Sequence, residues 1–212
     1  MSPHPRRGDA ASSAPSRAPG RGRPDSRRTR SDPDPRRVAY DVLRAVSQRQ
    51  AYANLLLPGL LRQRRITGRD AGLATELTYG TLRAQGTIDL VLAACAQRSL
   101  EAVDPPVRDV LRLGAYQILR TRIPTHAAVS TSVDLAREAV GPGPSRFVNA
   151  VLRRVADRDE EAWVRQLAPS PDTDPIGHLA VRHSHPEWIV AAFRDALGGD
   201  LDQTAQALAA DE

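Results

Sequence analysis

At 212 residues, 41% of them hydrophobic, the chain can build one domain of ordinary size with some flanking sequence. Its single cysteine, Cys95, excludes an internal disulfide framework and any cysteine-cluster metal site. The net charge of +5 is unevenly placed: residues 1–37 hold ten Arg and four Asp, whereas the rest holds twenty Arg and twenty-one acidic residues.

Residues 1–37 contain no Val, Ile, Leu, Phe, Tyr or Trp. Such a stretch cannot bury enough apolar surface to offset its ordering entropy, so residues 1–35 are expected to be a disordered tail rich in Arg, Pro and Ser. From Val38 onward the periodicity is helical. Val38, Val42, Ala45 and Val46 form one stripe, with Arg36, Tyr40 and Arg44 expected on the side away from it. The next apolar segment carries Pro58, which should bend it or end a turn. Arg69 to Ala96 reads as helix with a break near Gly80 and Gly86.

Asp104 before Pro105 and Pro106 reads as an N-cap and helix start. Val107, Leu111, Gly114 and Ile118 then align, and a mid-helix Gly114, which costs about 1 kcal/mol relative to Ala, predicts close approach by a neighbouring helix. Pro124 and Thr125 open a helix with Val129, Val133, Ala136 and Val140 on one face. The run Gly141 to Pro144 stops it, and Phe147, Val148, Val151, Leu152 and Val155 build another. No segment alternates with period two, so the fold class is all-α: a helical bundle over 36–157. After the acidic run Asp157–Glu161, four helical segments with thinner apolar faces make a small linker domain over 158–212, packed on the bundle or on a region beyond it. The longest clean apolar run, Leu90 to Ala96, is too short for a bilayer, and no apolar leader opens the chain, so a soluble cytoplasmic protein with no membrane partner is expected.

Three stretches, LRLGAYQILR (Leu111–Arg120), IPTHAAVSTSVDLAR (Ile123–Arg137) and FVNAVLRRV (Phe147–Val155), resemble in order and spacing the last three helices of the NusB-like fold. AYANLLLPGLLRQR and LATELTYGTLRAQGTIDLVL resemble its earlier helices. That fold serves free-standing transcription antitermination factors and the N-terminal domain of the RsmB (Sun/Fmu) family, which methylates carbon 5 of a cytosine in small-subunit ribosomal RNA. The continuation RHSHPEWIVAAFRDALGGDLDQTAQALAADE resembles the linker that precedes the catalytic domain in the second group, and it favours that group. The resemblance implies an RNA-binding, substrate-positioning region whose partners are small-subunit ribosomal RNA and its own methyltransferase domain. The alternative is an antitermination factor acting on RNA with a ribosomal-protein partner. An ending in mid-motif points to a fragment.

Catalysis in that family uses a Pro-Cys nucleophile, a second cysteine and a Gly-rich loop for S-adenosylmethionine. Cys95 follows no Pro and lies on an apolar helix face, so it reads as a small buried hydrophobe. Gly20 and Gly22 precede no helix and are no phosphate loop. No catalytic or cofactor-binding residue is therefore assigned, and S-adenosylmethionine belongs to the absent catalytic domain. His126 reads as a capping or packing residue. His183, His185 and Glu187, spread across a Pro, read as structural and not as a metal site.

RNA binding rests on arginine placement. Arg36, Tyr40 and Arg44 at i, i+4 and i+8 offer guanidinium groups around a stacking surface, although a solvated helix face with an exposed Tyr is the plain alternative. NusB-like domains similarly use an Arg-rich N-terminal edge, where Arg36 and Arg37 fall. Arg120, Arg122, Arg153 and Arg154 could extend the patch, or Arg153 and Arg154 could pair with Asp157. The tail would add non-specific, salt-sensitive attraction.

Overall fold

The computed structural model describes residues 34–211, so the expected disordered tail lies outside the described residues except for Asp34 and Pro35, which start the first helix. Among the described residues there are eleven α-helices, a short 3-10 turn at Leu100–Ala102, and no strand. None of these helices is long and apolar enough to cross a membrane.

Helix α1 (Pro35–Arg49) opens on the Asp34 carboxylate, which accepts the Arg36 amide at 3.0 Å, with Pro35 at the first helical position. It is covered on two sides. Val38 and Val42 pack with Leu57, Ile66 and Ala74, contributed by α2 (Ala53–Gln63), α3 (Gly68–Arg83) and the loop between them. Ala39, Tyr40 and Leu43 join the main core. Pro58 neither bends α2 to an end nor interrupts it. Pro58 and Asn54 are both exposed, so the carbonyl that Pro58 leaves unbonded meets water.

The break expected near Gly80 and Gly86 falls between them, at Ala84, where α3 gives way to α4 (Gln85–Ala96). Gly80 stays helical and serves a different purpose. A Cβ there would run into the Tyr116 ring, and the missing side chain lets Tyr116 lie against α3 and donate its hydroxyl to Glu76.

Helix α5 (Pro105–Arg120) is the axis of the bundle, with α1, α3, α4, α6 (Thr125–Ala139) and α7 (Ser145–Val155) packed on it. Asp104 precedes it but makes no side-chain cap bond; Pro105 and Pro106 occupy the first two positions, where an N–H would have no partner within the helix. Gly114 is the point of close approach: a Cβ there would fall 2.6 Å from Leu152 Cδ1 on α7 and 2.8 Å from Ser132 Oγ on α6.

Helix α8 (Glu160–Leu167) is capped by Asp159, which accepts the Ala162 amide at 2.8 Å. Its Trp163 enters the main core and donates Nε1–H to the Val155 carbonyl at 3.0 Å, fastening α8 to the end of α7. Helices α9 (Pro175–Arg182), α10 (Glu187–Ala196) and α11 (Leu201–Asp211) gather a small core of Leu179, Ala180, Val190 and Leu208. Thr87 on α4 meets the Val181 carbonyl and Ser184, so this thinner-faced part packs on the bundle, and Pro33–Glu212 form one compact unit.

Candidate nucleic-acid interface

The α1 residues do not form the open surface that their spacing suggests. The side of α1 opposite Val38 and Val42 faces α5, and Tyr40 is 4% exposed inside the core, so it offers no stacking surface. Burial is the chief cause that raises its phenol pKa above the ordinary 10. Arg44 extends across α5 and donates to Asp109 at 2.8 Å, where the carboxylate is 2% exposed. Ser47 donates to the same oxygen, and Arg112 reaches the other at 3.1 Å while also holding Asp89. Arg44 is thus one of four charged members of an ionic network, with Asp109, Arg112 and Asp89, that joins α1, α4 and α5.

The other α1 arginines stay nearer the surface. Arg36 donates Nε–H to Gln117 at 2.7 Å, and Arg37 donates to Asp41 at 3.0 Å with 40% of its side chain exposed. Asp41 also receives Arg64 from the end of α2. The contact of Arg36 with Gln117 brings the start of α1 to the end of α5, one turn before Arg120. Arg120 pairs with Glu160 at the start of α8. Arg122, in the loop after α5, is exposed and makes no ion pair among the described residues.

Arg153 and Arg154 lie on α7, which packs on α4, α5 and α6 rather than on α1's neighbours α2 and α3. Arg153 is exposed and donates to Asn149 at 3.3 Å; Arg154 donates to the Cys95 carbonyl at 2.9 Å. Neither pairs with Asp157 among the described residues. Three further arginines share this region and were not singled out by the sequence. Arg146 is exposed on the same side of α7 as Arg153, seven residues earlier. Arg98, just past the end of α4, lies 4.7 Å above the Phe147 ring, and Arg158 lies 5.1 Å from the Trp163 ring. The i, i+7 spacing of Arg146 and Arg153 was a readable signal; the approach of Arg98 depends on tertiary packing.

A cavity of about 810 Å³ lies between α3, α5, α8 and α9. Arg83, Arg120 and Arg182 line it, but so do Glu76, Asp159, Glu160 and Glu161, and two of the three cations are already paired with these acids. Its acids outnumber its arginines, so it does not favour a polyanion. His185 has a ring nitrogen 2.7 Å from the His183 carbonyl, beside the buried His183. Among the described residues no three His, Cys, Asp or Glu side chains gather in a metal-binding arrangement. Cys95 is 2% exposed and burial pushes its thiol up to about 11, so the thiolate needed of a nucleophile is scarce at neutral pH.

Residues 33–157 match the NusB family. A Mycobacterium tuberculosis H37Rv protein, whose name as a methyltransferase is itself provisional, is 56% identical over 191 residues, 89% of this chain and 42% of that protein. The ribosomal RNA small subunit methyltransferase B of Pseudomonas putida is 36% identical over 161 residues, 76% of this chain and 34% of that protein. Its namesake in Thermus thermophilus is 39% identical over 164 residues, 77% of this chain and 36% of that protein. The chain spans between a third and just over two fifths of the length of these relatives.

Proposed function

From the premise that this chain belongs to the NusB family, we propose that it is the RNA-binding, substrate-positioning front of an S-adenosylmethionine-dependent ribosomal RNA (cytosine-C5) methyltransferase, and transfers no methyl group by itself. The observation that carries the reading is the reach of the similarity. The NusB match ends at residue 157, whereas the Mycobacterium tuberculosis relative aligns over 89% of this chain, which has to run well past that residue wherever it starts. The similarity therefore takes in helices beyond the bundle. An antitermination factor with a ribosomal-protein partner would leave those helices without a purpose.

The described residues do not fit S-adenosylmethionine or a cytosine-attacking thiolate. They form no strand followed by a glycine-rich loop, and their one cysteine is buried with its proton held. The work assigned to this region is to hold small-subunit ribosomal RNA, in the cytoplasm, for the methyltransferase part of a longer protein.

The test uses the 212-residue chain with a small-subunit ribosomal RNA fragment and an unrelated RNA of equal length. Filter binding should show salt-sensitive binding that favours the ribosomal fragment, and labelled S-adenosylmethionine should leave no label on either RNA. Methyl incorporation by this chain would sink the non-catalytic half of the proposal. Binding with no preference between the two RNAs would sink the substrate-positioning half.

A further inference from the structure

We propose that the outward side of α7, with the adjoining end of α4, is a phosphate-backbone contact surface for RNA made by Arg98, Arg146, Arg153, Arg154 and Arg158. This rests on the RNA-binding reading above and names where on the chain the contact is made. All the buried residues of α7 (Ser145, Val148, Val151, Leu152 and Val155) point inward. Arg146 and Arg153 are left outward, two turns and about 10 Å apart along the axis, with the uncharged Asn149 and Ala150 between them. Nothing on α7 itself hinders a strand from lying across both.

The other three arginines are held in place by uncharged partners. Arg154 spends one N–H on the carbonyl of Cys95, in the last turn of α4, and a guanidinium has five to offer. Arg98 and Arg158 lie over aromatic rings, a contact that leaves the charge in place and N–H groups to donate to phosphate oxygens. Charges near the Cys95 thiol include Arg154, Arg158 and Asp157, which puts these three around one spot. The nearest acids in sequence that make no ion pair among the described residues are Asp157, Asp159, which keeps its charge while capping α8, and Glu101, fewer than the five arginines. None of the five arginines makes an ion pair among the described residues, unlike Arg44, Arg64, Arg112, Arg120, Arg137 and Arg182.

The chemistry favours an RNA backbone over an acidic protein. A protein interface needs an apolar centre; of the large exposed apolar residues, Tyr52, Leu55, Trp188 and Leu201 lie on other elements, and Leu90 lies in the middle of α4, before the last turn that meets α7. Base stacking is not available either, since Trp163 is buried and Phe147 is covered by Arg98. The surface reads charge and spacing, not sequence.

The test compares the full chain with Arg146→Ala/Arg153→Ala/Arg158→Ala and with the matching triple Lys variant, on a labelled small-subunit ribosomal RNA fragment. The Ala triple should lose at least about tenfold in affinity, and its slope of log affinity on log salt should shrink by about 2, since each phosphate contact contributes roughly 0.7 to 0.9. The Lys triple should keep the slope, which shows that charge and not folding was lost. An Ala triple with wild-type affinity and slope would overturn the surface while leaving RNA binding intact, and would open the patch to an acidic protein. Weaker binding at an unchanged slope would overturn it too, as a structural effect. A wild-type chain that binds no RNA at any salt would remove the RNA-binding reading itself.

Discussion

Helices α1 and α7 each carry arginines at helical spacing on the side away from their aliphatic stripe, yet the two sets meet different fates. On α1 that side is covered by α5. Tyr40 is absorbed into the core, Arg44 is neutralised by the buried Asp109, and Arg36 is bonded to Gln117. On α7 that side is left open, so Arg146 and Arg153 stay at the surface, and Arg98, Arg154 and Arg158 rest on a carbonyl or a ring without losing their charge. An amphipathic pattern reports that a helix has one buried face; it does not report whether a second neighbour covers the other.

The widest separation between the two regions should appear in stability. Asp109→Ala strips both Arg44 and Arg112 of a buried carboxylate, and removing one partner of a buried ionic network costs about 3–5 kcal/mol. Arg146→Ala, on an exposed position, should stay within about 0.5 kcal/mol. Urea unfolding of the two variants measures the gap directly. Equal and small losses would mean that Arg44 is not held as the geometry has it, and the contrast between the helices would fail.

The bundle itself was legible because its signals are local. Gly141 to Pro144 separates α6 from α7, and the acidic run around Asp159 precedes α8, whereas Asp34 and Pro35, which start α1, read as part of the tail. Gly114 also announced its packing role correctly, with Leu152 and Ser132 against it. What stayed hidden depends on partners distant in sequence. Arg44 and Asp109 are 65 residues apart, and nothing around Arg44 announces that its charge is spent. Gly80 looked like a helix break because the Tyr116 ring that occupies its missing side chain comes from another helix. Arg153 and Arg154 were legible as an exposed pair, whereas Arg98 joins them only once α4 and α7 are packed.

A second, smaller separation concerns alkaline pH. Burial is the leading cause that raises the pKa of Tyr40 under α1, of Tyr116 on α5, and of Cys95 at the end of α4 beneath Arg154. The unfolded thiol ionises near 9.0, the folded one near 11. Stability from these groups is therefore fully present below about pH 9 and is lost as pH rises towards 11, with the unfolded state shedding protons first. Denaturant midpoints at pH 7.5, 9 and 10.5 should fall in that order. Ultraviolet titration of the wild type against Tyr40→Phe sharpens the comparison. A Tyr40 that ionises at the ordinary 10 would be solvent-facing, and the stacking role on α1 would return.

The smallest expected effect belongs to Arg37 on α1, whose side chain is 40% exposed. Its partner Asp41 sits one turn away, and an exposed i, i+4 pair contributes only about 0.3–0.5 kcal/mol. Asp41 keeps Arg64 when Arg37 is removed, so Arg37→Ala leaves no carboxylate stranded. Its unfolding midpoint should barely move, and its affinity for the ribosomal RNA fragment should change less than about threefold, a loss of the order of one screened contact. An Arg37→Ala chain that binds RNA as poorly as the α7 triple would reverse the argument. The α1 edge implied by the family resemblance would then be the principal RNA contact, with Arg36 and Arg122 as its neighbours, and the open face of α7 would have to be assigned another partner.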